Sequence, residues 1–412
     1  MNFTSKNFLL LFAAAIVVTF TFSSCKDDEV IDDKTETITG NITEDVTWTV
    51  DTDYTLSGRV IVTNGATLTI EPGTIIKAED LPNDQASVLM IATDGKIEAN
   101  GTASNPIIFT SIVDNIESGQ ITGTNLGEAD TGLWGGVVIL GLAPISPEAG
   151  TTARVEGIPA NVVEAEYGGD QPTHSSGTFN YVSIRHAGIA LEPDKEINGL
   201  TLGGVGSGTS IFNIEVVSNF DDGIEFFGGT VNVTNAAVLY QGDDAFDIDQ
   251  AYAGKLENII YIGSEANDSD NALEIDGPEG AENATGAFIV RKGSLTGFAD
   301  DYMHLKSDAQ GDVQNLYYFD FPESGNVEIL GSGATANFQS SALEVAGCAF
   351  NSSRTLEEIS TTDQDGLEAT IDGIFAASTG NEITSTPLVG ASINAFTGWT
   401  YADAKGLLSV FQ

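Results

Sequence analysis

The sequence predicts an all-β solenoid, short strands wound into a parallel coil, with a cap at the C-terminal end. Three observations carry that expectation. Nearly the same acidic hexapeptide is written four times: Asp221-Asp-Gly-Ile-Glu-Phe226, Asp243-Asp-Ala-Phe-Asp-Ile248, Asp270-Asn-Ala-Leu-Glu-Ile275 and Asp300-Asp-Tyr-Met-His-Leu305. Their starts lie 22, 27 and 30 positions apart, and a repeat of roughly 20–50 residues with one short strand per copy is the mark of stacked rungs. Within each copy apolar and polar residues alternate, which is strand phasing. Almost nothing in the chain is helix-periodic, so helices cannot supply the crossovers of a βαβ sheet, and coiling is the remaining way to stack parallel strands.

In order along the chain, the first element is a processing segment. Lys6 gives a positive start, and Phe8 to Phe22 is an apolar run too short and wrongly flanked to span a membrane. Residues 1–24 are therefore expected to be a signal peptide. Its end, Phe22-Ser-Ser-Cys25, resembles a bacterial lipobox, which implies acylation of Cys25 and a membrane anchor without a spanning helix. The next residues, Lys26-Asp-Asp-Glu29, resemble the signal that sends Bacteroidota lipoproteins to the outer face of the outer membrane. Residues 25–44, acidic and Thr-rich, read as a tether.

Residues 45–350 are expected to form the coil. Short β-branched runs begin with Leu56-Ser-Gly-Arg-Val-Ile-Val62 and Ala66-Thr-Leu-Thr-Ile70, separated by the turn dipeptide Asn64-Gly65. They continue through Gly132-Leu-Trp-Gly-Gly-Val-Val-Ile-Leu140, Phe179-Asn-Tyr-Val-Ser-Ile-Arg185, Ile211-Phe-Asn-Ile-Glu-Val-Val217 and Leu256-Glu-Asn-Ile-Ile-Tyr-Ile262. Two polar, Gly- and Pro-bearing stretches, 113–131 and 145–178, read as excursions from the coil, of a length usually tied to function. Residues 351–412 are expected to hold further coils and the cap, with Thr400-Tyr-Ala-Asp-Ala-Lys-Gly-Leu-Leu408 as a helix closing the open end.

The phrases Gly65-Ala-Thr-Leu-Thr-Ile-Glu-Pro-Gly-Thr-Ile-Ile-Lys77 and Gly95-Lys-Ile-Glu-Ala-Asn-Gly-Thr-Ala-Ser-Asn-Pro-Ile-Ile-Phe-Thr110 resemble the opening coils of right-handed parallel β-helix proteins. The resemblance covers residues 45–350 and is to the pectate-lyase-like superfamily, above all to Bacteroidota surface lipoproteins of that fold. It implies a right-handed parallel β-helix. It implies little about activity, because such scaffolds carry unrelated functions.

Composition narrows the partners. Sixty acidic against 15 basic residues give a formal charge of −45, which argues against nucleic acid and makes metal cations the natural small partners. Of the two cysteines, Cys25 is assigned to lipid, and Cys348 sits in an apolar stretch as a core thiol.

The acidic repeat supplies the candidate site. In register, Ile224, Phe246, Leu273 and Met303 face inward while Glu225, Asp247, Glu274 and His304 form one outward column. Carboxylates at the rung spacing of about 4.8 Å repel unless they splay, take up a proton or share a cation. Glu225, Asp247, Asp249 and Glu274 are accordingly candidate ligands of Ca²⁺, a cation that takes oxygen from several carboxylates. The first aspartates of the repeats, Asp221, Asp243, Asp270 and Asp300, are expected to turn the corners by bonding backbone. His304 is a candidate ligand-binding residue or the neutraliser that ends the acidic run. The expected function is binding of an extracellular glycan, cation or outer-membrane receptor. The alternative is polysaccharide hydrolysis: Asn219-Phe-Asp-Asp-Gly-Ile-Glu225 and Gly242-Asp-Asp-Ala-Phe-Asp247 are similar to motifs of polygalacturonase-type hydrolases, which implies catalytic roles for Asp221 or Asp222, Asp243 and Asp244. The Gly-His-Gly of those enzymes is absent; Asp270, Asn271 and Ala272 stand there. A binding protein should present a flat acidic ladder, and an enzyme a groove floored by paired carboxylates.

Overall fold

The computed structural model describes residues 34–82, 85–192, 195–267 and 269–412. Cys25 and the signal segment lie outside them. Each β-branched run is cut after a few residues by Gly, Asn or an acidic pair, so no strand can extend far, and each pairs instead with its counterpart one coil later. The product is a right-handed parallel β-helix with three sheets, here named A, B and C.

One coil shows the plan. Strand Asn232–Leu239 gives residues 232–234 to sheet A, bends at Asn235, and gives 236–239 to sheet B. Strand Phe246–Asp249 belongs to sheet C, and Lys255–Ile262 opens the next coil. The bend requires a left-handed residue, and Asn adopts that conformation more cheaply than most. Asn213, Asn235, Asn258 and Asn315 occupy it with φ of 57°, 59°, 62° and 57°. Their amides stack: Asn213 Nδ2 donates to Asn180 Oδ1 (2.9 Å), Asn235 to Asn213 (2.7 Å) and Asn258 to Asn235 (2.7 Å). A neutral ladder thus runs along the A–B corner.

Inside, the expected register holds. Glu225 pairs with Asp247, Asp247 with Glu274 and Glu274 with His304, and Ile224, Phe246, Leu273 and Met303 are fully buried in one core.

Two expectations need correction. The segment assigned to a tether is structured from Lys34: strand Lys34–Ile42 pairs with Thr52–Val62 and forms the first coil. Its Thr/Ile alternation is strand phasing, masked in the sequence by acidic composition; as the terminal coil it buries little. The cap is C-terminal as expected, but the helix expected to close the open end does not form it. Helices Ser332–Ser340, Leu356–Ile359 and Glu368–Ala377 send Phe338, Ile359, Ile371 and Phe375 into the last part of the core. The 400–408 stretch does start a helix, Tyr401–Ala404, but it lies along the flank. There Trp399, Tyr401 and Leu408 cover Val217, Leu239, Ile260 and Ile262 on the outer face of sheet B. An apolar outer face has to be covered, and the tail covers it.

Candidate functional site

One column on the outer face of sheet C changes character along the solenoid. It reads Ile61, Met90, Val138, Thr201, Glu225, Asp247, Glu274, His304 and Glu328, each paired with the next. After strand Gly136–Leu140 the chain leaves the coil and returns at strand Gly177–Arg185. The excursion carries an antiparallel hairpin, Ala153–Arg154 with Glu166–Tyr167. Ile145, Val155, Ile158 and Tyr167 pack over Ile61, Met90 and Val138, the apolar start of the column. The same segment overhangs the first acids. A cavity of about 660 Å³ results, bounded by Arg154, Glu156, Tyr167, Asn198, Asp222, Glu225, Asp249 and Glu279 among others.

The open acidic ladder expected from the repeat is therefore, in its first half, a covered pocket. Glu225 and Asp247 are only 8% and 9% exposed, and a segment remote in sequence bounds the cavity at Glu225. Carboxylate oxygens of Asp222, Glu225 and Asp247 lie within 4.8 Å of one another. Asn198 donates its amide to Glu225. Asp247 Oδ1 and Asn198 Oδ1 are buried without a hydrogen-bond partner. Burial, then neighbouring carboxylates, pushes Asp222, Glu225 and Asp247 well above the usual range. Asp249, two positions along the same face as expected, is raised to about 8 by burial and by Glu279 and Asp276. Each of these shifts disfavours the charged carboxylate.

The second aspartate of three repeats bonds the backbone of the following coil. Asp222 Oδ1 accepts from the Asp244 amide (2.9 Å), Asp244 Oδ1 from Asn271 (2.7 Å) and Asp301 Oδ1 from Asn326 (2.6 Å). Each carboxylate so placed ties its coil to the next. Asp243, Asp270 and Asp300 are exposed and Asp221 partly so; the residue entering the turn points outward, and the one leaving it points along the axis. Of the four residues named for catalysis, Asp222 and Asp244 are buried, Asp221 is half-buried at the cavity and Asp243 is exposed.

Glu274 differs from its neighbours. His304 Nδ1 lies 3.1 Å and Lys306 Nζ 3.0 Å from its carboxylate. Burial opposes its charge, yet these two cations outweigh it and hold Glu274 below its ordinary value. His304 is raised in turn, chiefly by its bond to Glu274. The column is neutralised where these cations meet it. Asn198 and the pairing role of Asp222 escaped the sequence reading; Asn198 lies just before strand Leu200–Gly203, and only the fold brings it beside Glu225. Cys348 is fully buried, as expected of a core thiol.

Comparison with known proteins agrees with the architecture. No curated protein and no solved structure gives a match. A family described as a pectate-lyase like beta helix domain matches residues 40–400, nearly the whole described coil and its cap. The chain belongs to the pectate-lyase-like β-helix family.

Proposed function

We propose that this is a lipid-anchored surface protein whose covered acidic pocket binds a hard divalent cation of the Ca²⁺ type, as part of taking up an extracellular ligand. One observation carries the reading: Asp222, Glu225 and Asp247 converge in a buried cluster at the edge of the cavity, and Asp247 Oδ1 has no partner. Three carboxylates provide up to six oxygens, close to the six to eight that Ca²⁺ takes. Asn198 Oδ1 borders the same pocket and is also unpartnered. The cavity beside them leaves room for water or for a hydroxyl-bearing ligand. Glu274, bound to His304 and Lys306, is a poorer ligand than Asp222, so the set favoured here is Asp222, Glu225 and Asp247, with Asp249 behind them.

Equilibrium dialysis of the full chain against Ca²⁺ tests this. Saturable binding lost in Asp247→Asn and kept in Glu274→Gln is expected. Equal binding by wild type and Asp247→Asn would remove the site. The anchor rests on Cys25 and Lys26-Asp-Asp-Glu29; Cys25→Ser should release the protein from the outer membrane, and protease added to intact cells should digest the wild type. Polysaccharide hydrolysis is the second reading, favoured by the concave site and by Asp249, which is raised to about 8 and would hold a proton for a leaving group. Release of reducing ends from an acidic glycan, abolished in Asp249→Asn, would establish it.

A further inference from the structure

The A–B corner departs from asparagine at Tyr181, opposite Asn213, and at Lys292. Lys292 lies in register between Asn258 and Asn315, since Arg291 pairs with Glu257 and with Gln314 while Gly293 pairs with Ile259 and Leu316. It holds the same left-handed backbone, φ 59°. Lysine adopts that conformation less readily than asparagine, and it offers no amide, so the ladder is interrupted at this coil. The same left-handed backbone recurs at Tyr181, Tyr240 and Gln250, so it is the partners of the Lys292 side chain that single this corner out.

The side chain reaches Glu257. Lys292 Nζ is 2.6 Å from Oε1, while Lys255 Nζ at 2.7 Å and Arg291 Nη2 at 2.9 Å share Oε2. Three of the 15 basic residues of a strongly acidic chain thus meet on one carboxylate. One negative charge neutralises one of them. The cationic side chains remain 31%, 37% and 54% exposed, whereas that of Glu257 is 13% exposed. The donors face solvent and the acid sits beneath. Thr234 and Gln314 flank the patch on neighbouring rungs, and Asp312 is the acid on the next strand, opposite Ile289. At about 0.15 M salt the screening length is about 8 Å, so the remote acidic charge does not cancel the patch.

We propose that Lys255, Arg291 and Lys292 form an oxyanion site on sheet A, separate from the acidic pocket on sheet C, that takes a phosphate or sulfate group. Glu257 gathers the three side chains, and a guanidinium beside two ammonium groups matches the oxygens of such a group. The phosphate could be carried by a soluble sugar or by a lipid headgroup.

The test is a titration of the full chain with inorganic phosphate at about 0.15 M salt, followed by ³¹P line broadening. Wild type should bind saturably. Lys292→Asn, which restores the corner residue, should melt no lower than wild type yet bind at least about tenfold more weakly, the loss of one charged hydrogen bond. Arg291→Gln should weaken binding similarly. Glucose 6-phosphate and vesicles of phosphatidylcholine with phosphatidylglycerol are then used as competitors, with pure phosphatidylcholine vesicles as control for the lipid anchor; whichever displaces phosphate identifies the source. Absence of saturable binding, or Lys292→Asn binding as wild type does, overturns the site.

Discussion

Glu215 and Glu225 are buried glutamates on consecutive strands of one coil, and their surroundings are opposite. Glu215 accepts from Ser183 Oγ (2.7 Å) and from the backbone amides of Tyr401 (2.8 Å) and Ala402 (3.0 Å), with Arg185 3.8 Å away. Its charge is matched on every side, and it fastens the C-terminal tail to sheet B. Glu225 accepts from the Asn198 amide and has Asp222, Asp247 and Asp249 around it. The first is a staple. The second is a cluster of like charges buried at a cost, which is what the proposed cation would offset.

Removing the staple should give the largest effect. Glu215→Ala leaves Arg185 buried without its acid and frees the start of the Tyr401 helix, at a cost of about 3–5 kcal/mol. Denaturant midpoints measure it; a loss under about 1 kcal/mol would erase the contrast between the two glutamates. Next comes the neutral ladder. Asn235→Ala removes two stacked amide bonds and puts Ala in a left-handed corner, for about 2–3 kcal/mol in the same assay. An unchanged midpoint would mean that the ladder is incidental.

The register of the acidic column was legible because strand periodicity and rung stacking are local rules, and four hexapeptides repeat them. The covering of Glu225 was not, because it depends on residues 147–167 folding back over sheet C. Asp222 and Asp243 looked alike in sequence, and only the direction of the turn separates a carboxylate that ties two coils from one that meets water. The asparagine ladder did leave a signal: Asn213, Asn235 and Asn258 recur at 22 and 23 residues, in step with the strands. Arg185 and Glu215 left none, since an ion pair between adjacent coils has no fixed sequence spacing.

Smaller effects sharpen the same contrast. His304→Gln removes the partner of Glu274 at a partly exposed position, and should cost under about 1 kcal/mol in thermal melts. Loss of several kcal/mol would make His304 a structural centre rather than a neutraliser. The pH dependence has a definite sign. Asp249 is raised from 3.8 to about 8 in the folded chain. The stability it contributes is present in full below about pH 4 and is lost as pH rises through about 8. Asp222, Glu225 and Asp247 are raised as well, so their contributions also fall as pH rises. His304, likewise raised, acts in the same direction above its ordinary value of 6.5. Glu274 is lowered from 4.5 and acts oppositely, only at the acidic end. The cation-free protein should therefore melt higher at pH 5 than at pH 8, and Ca²⁺ should reduce that difference by replacing the protons. A melt higher at pH 8 without Ca²⁺ would show that these carboxyls are not held protonated.

The most direct measurement is thermal unfolding of the full chain in EDTA and then in millimolar Ca²⁺, for wild type and Asp247→Asn. The unfolded chain does not preserve the spacing of Asp222, Glu225 and Asp247, so binding must appear as stabilisation. At roughly a hundredfold excess over the dissociation constant, wild type should gain about 2.7 kcal/mol. Asp247→Asn should melt higher than wild type in EDTA, because repulsion is relieved, and gain much less from Ca²⁺. If Ca²⁺ raises both proteins equally, the pocket holds no cation and the buried carboxylates serve only the fold.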